Sequence, residues 1–364
     1  MTCYHPNFIV KHRIHSPGLR LQYRYEDKKG VSRNGWKMMK EGAYEYKFFT
    51  GYDFDKFKNS VEIQDYEVET LPCGCCVGCR LDYSRQWANR CYLESLQWKD
   101  NYFVTLTYNE DNKRIGKYGN ATLEPDDIKK FIKDLRAYWK YHYDHDNIRF
   151  FLCGEYGDLS LRPHYHIIFF NLPIPDISEE FVYEDENGEV RRTRKCQNGV
   201  VFKWSEEICK IWSKGNIVIE EANWRSMAYT ARYVMKKIKG VEGDVYEKLG
   251  IVPEFVRMSR MPGLGQEYFL QHHDEIYKND NLVVFNGTAQ SVQPPRYFDN
   301  LVKKFELSDI DLEVIKAYRK EQSKVANVTN DYLSDLSYLD LLDALEEDKN
   351  RQIVALATLD CSFL

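Results

Sequence analysis

Residues 161–170, LRPHYHIIFF, place two histidines at the start of the most apolar strand that the chain predicts. Alternate side chains of a strand share a face, so His164 and His166 point the same way and Tyr165 points to the other face. The strand rise of ~3.3 Å per residue separates the two imidazoles by about 7 Å along the strand, a spacing that can chelate one metal ion. By itself, a His-x-His pair favours a plainer interpretation, two hydrogen-bonded or solvated histidines at a strand end.

The preceding segment, residues 148–157, IRFFLCGEYG, predicts a second strand joined to the first by a short polar loop. So short a link makes an antiparallel pair, because parallel strands need a long crossover. Glu155 is then expected beside His164 and His166. Two imidazoles and one carboxylate, with open positions for water or substrate, form a three-ligand divalent metal site. An ordinary carboxylate at a strand end is the alternative interpretation.

The surrounding sequence predicts one α+β domain with an antiparallel sheet. Residues 101–107, NYFVTLT, alternate as a strand, and residues 124–143 have the acidic start and apolar spacing of an amphipathic helix. The later elements predicted are a hairpin with Asn187-Gly188 at its turn, a helix from Trp204 to Trp212, a strand at 215–221 and a helix at 223–240 ended by Gly240. Residues 1–70 predict small strands and loops, and residues 301–364 are acidic and predict helices.

The helix predicted last in that core contains residues 228–237, AYTARYVMKK. Tyr229 and Tyr233 are four residues apart and share a helical face, and Lys236 and Lys237 follow a turn later. A phenol with a pKa of about 10 is a poor nucleophile at neutral pH, so a metal that polarises a phosphodiester would have to activate the electrophile. A phosphotyrosine ester keeps the energy of the cleaved bond, so a cut strand could be rejoined. The alternative is an aromatic core stripe with a solvated basic end.

A cysteine cluster precedes these elements. Cys73, Cys76 and Cys79 have C-x₂-C-x₂-C spacing, which lets several thiolates reach one tetrahedral Zn²⁺. Three ligands leave a structural zinc one short, and Cys3 or His5 could complete it. Unligated reduced thiols are the alternative interpretation.

Composition bounds the compartment and the partners. The start, MTCYHPNFIVKHRIHS, lacks an apolar signal-peptide core, and no run approaches the length of a membrane span. Ten cysteines in such a chain favour a reducing cytoplasm. The net charge is −5, but DNA affinity follows local basic patches more than the total. The candidate phosphate contacts are Arg162, Arg232, Lys236, Lys237 and Lys239, with Arg80, Arg85 and Arg90 after the cysteines.

Several of these segments together resemble a known family. FVTLTY, RPHYHIIFF and YTARYVMKK resemble, in this order and spacing, the three motifs of the HUH rolling-circle replication initiators. MTCYHP, PCGCCVGCRLDYSRQWANRC, IRFFLCGEYG, RMSRMPGLG and PPRYFD resemble the replication initiator of gokushovirus-type microviruses, small phages with circular single-stranded DNA. The resemblance covers residues 1–300.

The resemblance implies an HUH endonuclease-like, ferredoxin- or RRM-like fold with a five-stranded antiparallel sheet flanked by helices. It implies catalytic Mg²⁺ or Mn²⁺ at His164 and His166, with Glu155 as third ligand. In the family, one of the paired tyrosines, here Tyr229 and Tyr233, attacks the origin strand, and the motif lysine corresponds to Lys236. The products are a 5′-phosphotyrosine and a 3′-OH that primes host synthesis, before the strand is rejoined to circular single-stranded DNA.

These inferences predict three regions. A Cys-rich, zinc-binding region with the first helix occupies residues 1–98, an HUH endonuclease core 99–300, and an acidic helical extension 301–364. The expected partners are single-stranded and replicative-form phage DNA and the host helicase and DNA polymerase, in the cytoplasm of the bacterial host.

Two other hypotheses compete with origin nicking. A cupin-like His-x-His metalloenzyme would also use two histidines and a carboxylate. Its pattern has a glutamate three or four residues after the second histidine, where this chain has Phe169, Phe170 and Asn171 nearby. A non-catalytic zinc module that binds DNA would explain the cysteines but not the histidine strand.

Overall fold

The structure is a computed structural model, and it describes residues 3–13, 20–26, 32–38, 44–51, 53–54, 56, 66–157, 161–184, 189–197, 200–236, 244–285, 287–332 and 342–352. The strands are β1 (Asn7–Arg13), β2 (Arg20–Glu26), β3 (Ser32–Met38), β4 (Tyr44–Phe49), β5 (Tyr66–Leu71), β6 (Asn101–Thr107), β7 (Arg149–Tyr156), β8 (Pro163–Phe170), β9 (Glu180–Glu184), β10 (Val190–Arg194), β11 (Cys196–Gln197), β12 (Val200–Val201), β13 (Ile217–Glu221), β14 (Phe255–Met258), β15 (Leu282–Phe285) and β16 (Ala289–Val292). The helices are α1 (Val77–Ser95), α2 (Pro125–Tyr143), α3 (Glu206–Trp212), α4 (Trp224–Lys236), α5 (Asp244–Leu249), α6 (Gln266–Lys278), α7 (Arg296–Lys304) and α8 (Leu312–Tyr332), and residues 342–352 are also helical.

The central sheet has five antiparallel strands in the order β13-β6-β8-β7-β14. The histidine strand β8 is the middle strand, and six consecutive residues of both β7 and β8 are buried. The predicted α+β fold with a five-stranded antiparallel sheet is therefore confirmed. The residue pattern did not mark the fifth strand, β14, because it has only four residues and includes the exposed Arg257.

One face of the sheet packs against α2 and α3. Tyr165, Ile167 and Phe169 of β8 belong to this core, together with the apolar residues Ile128, Phe131, Ile132, Leu135 and Trp139 of α2. Each such buried side chain contributes roughly 1.5–3 kcal/mol. Helix α2 begins where the sequence predicts, because Pro125 occupies the first turn and Glu124 accepts a hydrogen bond from Asp126 N.

The opposite face carries the histidines and packs against α1 and α4. Ile168 and Phe170 of β8 meet Ala88 and Cys91 of α1 and Met227 and Ala231 of α4 in a second core. Because α4 contacts both β7 and β8, the tyrosine helix lies on the face to which His164 and His166 point.

Two predicted elements differ in detail from the structure. Helix α3 begins at Glu206, two residues after the predicted start, because the Ser205 side chain accepts a hydrogen bond from Ile208 N and caps it. Strands β9 and β10 pair as the predicted hairpin. Its Asn187-Gly188 turn and the predicted helix end at Gly240 lie outside the described residues.

Packing separates the described residues into two units, 3–79 with 323–332 and 342–352, and 80–322. The first contains the sheet β4-β1-β5 and the hairpin β2-β3, with Phe8 stacked on Phe54 at 4.2 Å between ring centroids. In the second, α6, α7 and the hairpin β15-β16 form a further core around Phe269 and Phe298. The division at residues 98 and 300 stays a prediction. None of the described helices is long and apolar enough to cross a membrane.

Candidate metal centre and tyrosine helix

Glu155, His164 and His166 form a compact group on the middle of the sheet. Glu155 of β7 is paired in register with His164 of β8, so their side chains share a face. Glu155 Oε1 lies 2.5 Å from His164 Nε2 and 2.9 Å from His166 Nε2. All three ligand atoms lie within 4.8 Å of one another. The strand pairing thus brings together the three residues singled out in the sequence.

The charge of the group suits a divalent cation. Burial alone would raise the pKa of Glu155, but hydrogen bonds from His164 and His166 outweigh it and lower that pKa to about 2. Glu155 is therefore ionised at neutral pH, although only 2% of the residue is exposed. Its second oxygen, Oε2, is buried and has no hydrogen-bond partner among the described residues. A cation held by the three side chains would satisfy this oxygen, so the residues present fit Mg²⁺ or Mn²⁺.

The outer nitrogens of both imidazoles have acceptors. His164 Nδ1 lies 3.0 Å from the carbonyl oxygen of Arg162, and His166 Nδ1 lies 2.9 Å from Thr105 Oγ1. Phe103 stacks on the His166 ring, with centroids 5.1 Å apart and planes 16° apart. Thr105 and Phe103 were missed as site residues in the sequence. The signal that could have found Thr105 is its position in the FVTLTY motif on a strand predicted to pair with the histidines.

Tyr229 reaches this group from α4. Its hydroxyl lies 3.4 Å from Glu155 Oε1, the oxygen that both histidines contact. Its ring centroid is 5.3 Å from that of His166. The start of the helix is held by a reciprocal capping box, in which Ser226 N donates to Asn223 Oδ1 and Asn223 N donates to Ser226 Oγ. The helix therefore presents the Tyr229 phenol to the candidate metal ligands.

The other predicted catalytic residues follow on the same helix. The backbones of Tyr233 and Lys236 belong to α4, one turn and nearly two turns beyond Tyr229. Their side chains, and the whole of Lys237, lie outside what the structure describes. Their predicted roles stay predictions.

The two predicted DNA-contacting arginines differ in their surroundings. Arg232 is exposed, and its guanidinium carbon lies 5.4 Å from the centroid of the Tyr229 ring. Arg162 Nη2 donates to the carbonyl oxygen of Tyr108 at 2.5 Å and lies 3.3 Å from Glu110 Oε1. Arg162 thus combines contacts to the protein with its place beside His164, and its contact with DNA stays a prediction.

A second cluster brings together Cys3, Cys73, Cys76 and Cys79. Their sulfurs all lie within 4.8 Å of one another, with Cys73–Cys79 and Cys3–Cys76 separations of 3.9 Å. Tetrahedral zinc with Zn–S bonds of about 2.3 Å would separate its sulfurs by about 3.8 Å. His5, the other candidate for the fourth ligand, contacts Glu346 instead.

Backbone amides support this cluster. Cys73 N donates to Cys3 Sγ at 3.2 Å, and Cys76 N donates to Cys73 Sγ at 3.3 Å. Burial raises the pKa of Cys79 to about 12. At Cys73 the effect of burial is outweighed by hydrogen bonds from the amides of Cys75 and Cys76, which lower its pKa to about 6. Buried thiols of unequal pKa become thiolates together only when a cation compensates them, so this group fits Zn²⁺.

Comparison with known proteins places these sites in a family. Residues 101–238 match the family model of the phage replication-associated protein ORF2. The chain is 36% identical to the replication-associated protein ORF2 of Spiroplasma virus 4 over 288 residues, which are 79% of this chain and 84% of that protein. It is 30% identical to the replication-associated protein VP4 of Bdellovibrio phage phiMH2K over 237 residues, 64% of this chain and 68% of that protein.

A third relative, the replication-associated protein ORF4 of Chlamydia phage 1, is 30% identical over 273 residues, 74% of this chain and 63% of that protein. No solved structure matches the chain. The matched residues 101–238 include the histidine strand, Glu155 and the tyrosine helix. The chain belongs to the family of phage replication-associated proteins found in gokushovirus-type microviruses.

Proposed function

We propose that this protein is a rolling-circle replication initiator with an HUH endonuclease fold that nicks the phage origin by metal-dependent tyrosine transesterification. The observation that carries the proposal is the 3.4 Å distance between the Tyr229 hydroxyl and the Glu155 oxygen contacted by both candidate metal-binding histidines. A structural aromatic stripe would not need a phenol directed at an ionised, buried carboxylate. The family membership supports a role in replication.

The reaction is a transfer between two phosphodiesters. The Tyr229 oxygen attacks the phosphorus at the origin, the P–O3′ bond breaks, and the phenolic proton reaches the released 3′ oxygen by way of solvent. The 5′ phosphate stays on the tyrosine, and the free 3′-OH serves as primer. A divalent cation on Glu155, His164 and His166 supplies the charge stabilisation that the phosphoryl group needs.

The chain's own residues would orient this reaction. Helix α4 holds the Tyr229 ring against His166 and Phe103, which restricts the phenol to a single approach to the site. Arg232, Lys236 and Lys237 would contact the DNA phosphates. Tyr233, one helical turn away, would accept the second strand transfer, so that the displaced strand is rejoined as circular single-stranded DNA.

The remaining parts of the proposal concern the setting. The Cys3, Cys73, Cys76 and Cys79 group would hold a structural Zn²⁺. The substrates would be single-stranded and replicative-form phage DNA, and the partners the host helicase and DNA polymerase, in the cytoplasm of the bacterial host.

A covalent-adduct assay tests the proposal. The protein is incubated with Mn²⁺ and end-labelled single-stranded oligonucleotides tiled across its own genome, and a protein–DNA band is sought after denaturation. We expect a band with wild type and with Tyr183→Phe, a control in the exposed strand β9. The band should be weakened or lost in Tyr229→Phe and absent from the Tyr229→Phe, Tyr233→Phe double variant. The absence of a band under all metals and sequences, or its persistence in the double variant, would refute the proposal.

A further inference from the structure

Strand β6 touches the candidate metal centre through a residue to which the proposed reaction assigns no role. Thr105 is paired in register with His166 across β6 and β8, so the two side chains share the face that bears the metal ligands. Thr105 Oγ1 lies 2.9 Å from His166 Nδ1. The opposite ring nitrogen, Nε2, lies 2.9 Å from Glu155 Oε1. The imidazole is thus held at both ends, by a hydroxyl on one side and by the metal group on the other.

The proton on Nδ1 decides whether Nε2 can bind a cation. A neutral imidazole carries one proton, and only the nitrogen without it has a lone pair for a metal. An acceptor at Nδ1 keeps the proton there and leaves Nε2 available, which is how partners beyond the ligands commonly orient metal-binding histidines. The Thr105 hydroxyl can accept this proton in a hydrogen bond.

His164 shows the same arrangement with a different acceptor. Its Nδ1 lies 3.0 Å from the Arg162 carbonyl oxygen, which can only accept and so requires a proton on Nδ1. The main chain therefore sets the tautomer of His164, and a side chain sets that of His166. Only the second of these devices can be removed by substitution.

A neighbouring residue fixes the plane of the His166 ring. Phe103, two residues before Thr105 on the same face of β6, stacks on His166 with planes 16° apart. The same ring meets Tyr229 edge to face, with centroids 6.4 Å apart and planes 83° apart. Phe103 is 7% exposed, so this stack is part of the core. Rotation of His166 away from Thr105 would disturb both contacts.

We infer that Thr105 is the positioning residue of His166: its hydroxyl holds the proton on Nδ1 and keeps Nε2 ready for the divalent cation. This inference rests on the proposed metal site. It gives the alternating segment NYFVTLT a chemical role in addition to its structural one.

Mn²⁺ affinity of the full-length protein, measured by electron paramagnetic resonance of the unbound ion, tests the inference. Thr105→Val keeps the shape but removes the hydroxyl, so we expect it to weaken Mn²⁺ binding roughly 10- to 100-fold. Thr105→Ser restores the hydroxyl and should bind Mn²⁺ as wild type does. Thr107→Val is the matched control: Thr107 is in register with His164 on the same strand, but its hydroxyl donates to Asn216 O at 3.5 Å.

Two results would overturn the inference. Thr105→Val could bind Mn²⁺ as tightly as wild type, or Thr105→Ser could be as weak as Thr105→Val, which would indicate a packing role only. Wild-type protein that binds no Mn²⁺ would overturn the metal site and this inference with it. Mn²⁺ affinity does not depend on DNA cleavage, so failure to form a DNA adduct would refute the proposed nicking function and leave this result intact.

Discussion

The carboxylate of Asp127 supports the histidine strand from the face opposite the metal site, and its replacement by asparagine has a calculable cost. Asp127 accepts hydrogen bonds from Arg114 Nε at 2.7 Å, Arg114 Nη2 at 2.8 Å and the Tyr108 hydroxyl at 3.0 Å. The Tyr108 hydroxyl lies 2.9 Å from that of Tyr165, the residue between the two histidines on β8. The network therefore connects the start of α2 to the middle of the sheet.

The magnitude follows from the burial of the two partners. Removing one member of a buried ion pair costs about 3–5 kcal/mol, and hydrogen bonds to charged groups contribute about 1.5–3 kcal/mol. The Arg114 side chain is 44% exposed and can rehydrate, whereas that of Asp127 is 9% exposed. We therefore expect Asp127→Asn to lower the free energy of unfolding by about 2–3 kcal/mol, below the range for a fully buried pair.

Asp126→Asn provides the matched control. Asp126 is exposed in the same first turn of α2, so its replacement removes the interaction with the helix dipole but leaves the network intact. Such an exposed charge contributes about 0.3–1 kcal/mol. Urea denaturation followed by tryptophan fluorescence measures both variants, since Trp139 and Trp212 are buried in the same core.

The pH dependence sharpens this test. Burial would raise the pKa of Asp127, but hydrogen bonds from Arg114 and Tyr108 outweigh it and lower that pKa. A group whose pKa is lower in the folded state stabilises the protein above its unfolded pKa, about 3.9 for aspartate. That stability is lost as the pH falls through the lower folded value. The difference between wild type and Asp127→Asn should be complete at pH 7 and shrink below about pH 4.

Either of two results would refute this reasoning. Asp127→Asn might cost no more than Asp126→Asn, which would mean that the network contributes nothing beyond the helix dipole. Alternatively, the difference from wild type might be unchanged from pH 7 to pH 3, which would mean that the carboxylate charge is not its source.

Three further predictions concern the metal groups and the C-terminal segment. Cys3→Ser should abolish the bound zinc measured by plasma mass spectrometry, whereas Cys75→Ser, at an exposed thiol outside the group of four, should leave it at one per chain; equal zinc in both would contradict the assignment. Mn²⁺ should raise the melting temperature of wild type but not of Glu155→Gln, because the amide lacks the ligand charge; an equal rise in both would exclude Glu155 as a ligand. Glu346 Oε1 accepts a hydrogen bond from Val77 N at 3.0 Å, so Glu346→Ala should lower stability by about 1 kcal/mol, and the exposed Glu347→Ala should not; a cost shared by both would point to helix propensity instead.

Local pattern was enough to predict most of the central sheet and its helices. Strands β6, β7, β8 and β13 are apolar or alternating, and α2 has a proline start and a regular apolar stripe. These signals depend on burial of one strand face or one helix stripe, which is written in the order of residue types. The short edge strand β14 carries no such pattern, because few of its residues are buried.

The composition of both metal groups was also predictable, but their membership was only partly so. Metal ligands have characteristic residue types and short spacings, which single out His164 with His166 and Cys73 with its neighbours. The choice of Cys3 over His5 depends on where the chain start packs, seventy residues away in sequence, and spacing holds no information on that.

The sequence by itself therefore determined the residue types of the site, and the tertiary structure decided their partners. The antiparallel register of β7 and β8 sets Glu155 opposite His164, and that of β6 and β8 sets Thr105 opposite His166. The packing of α4 on the same sheet face brings Tyr229 within 3.4 Å of Glu155. Distances between residues far apart in the chain follow from strand register and helix packing, and many segments that are distant in sequence contribute to these at once.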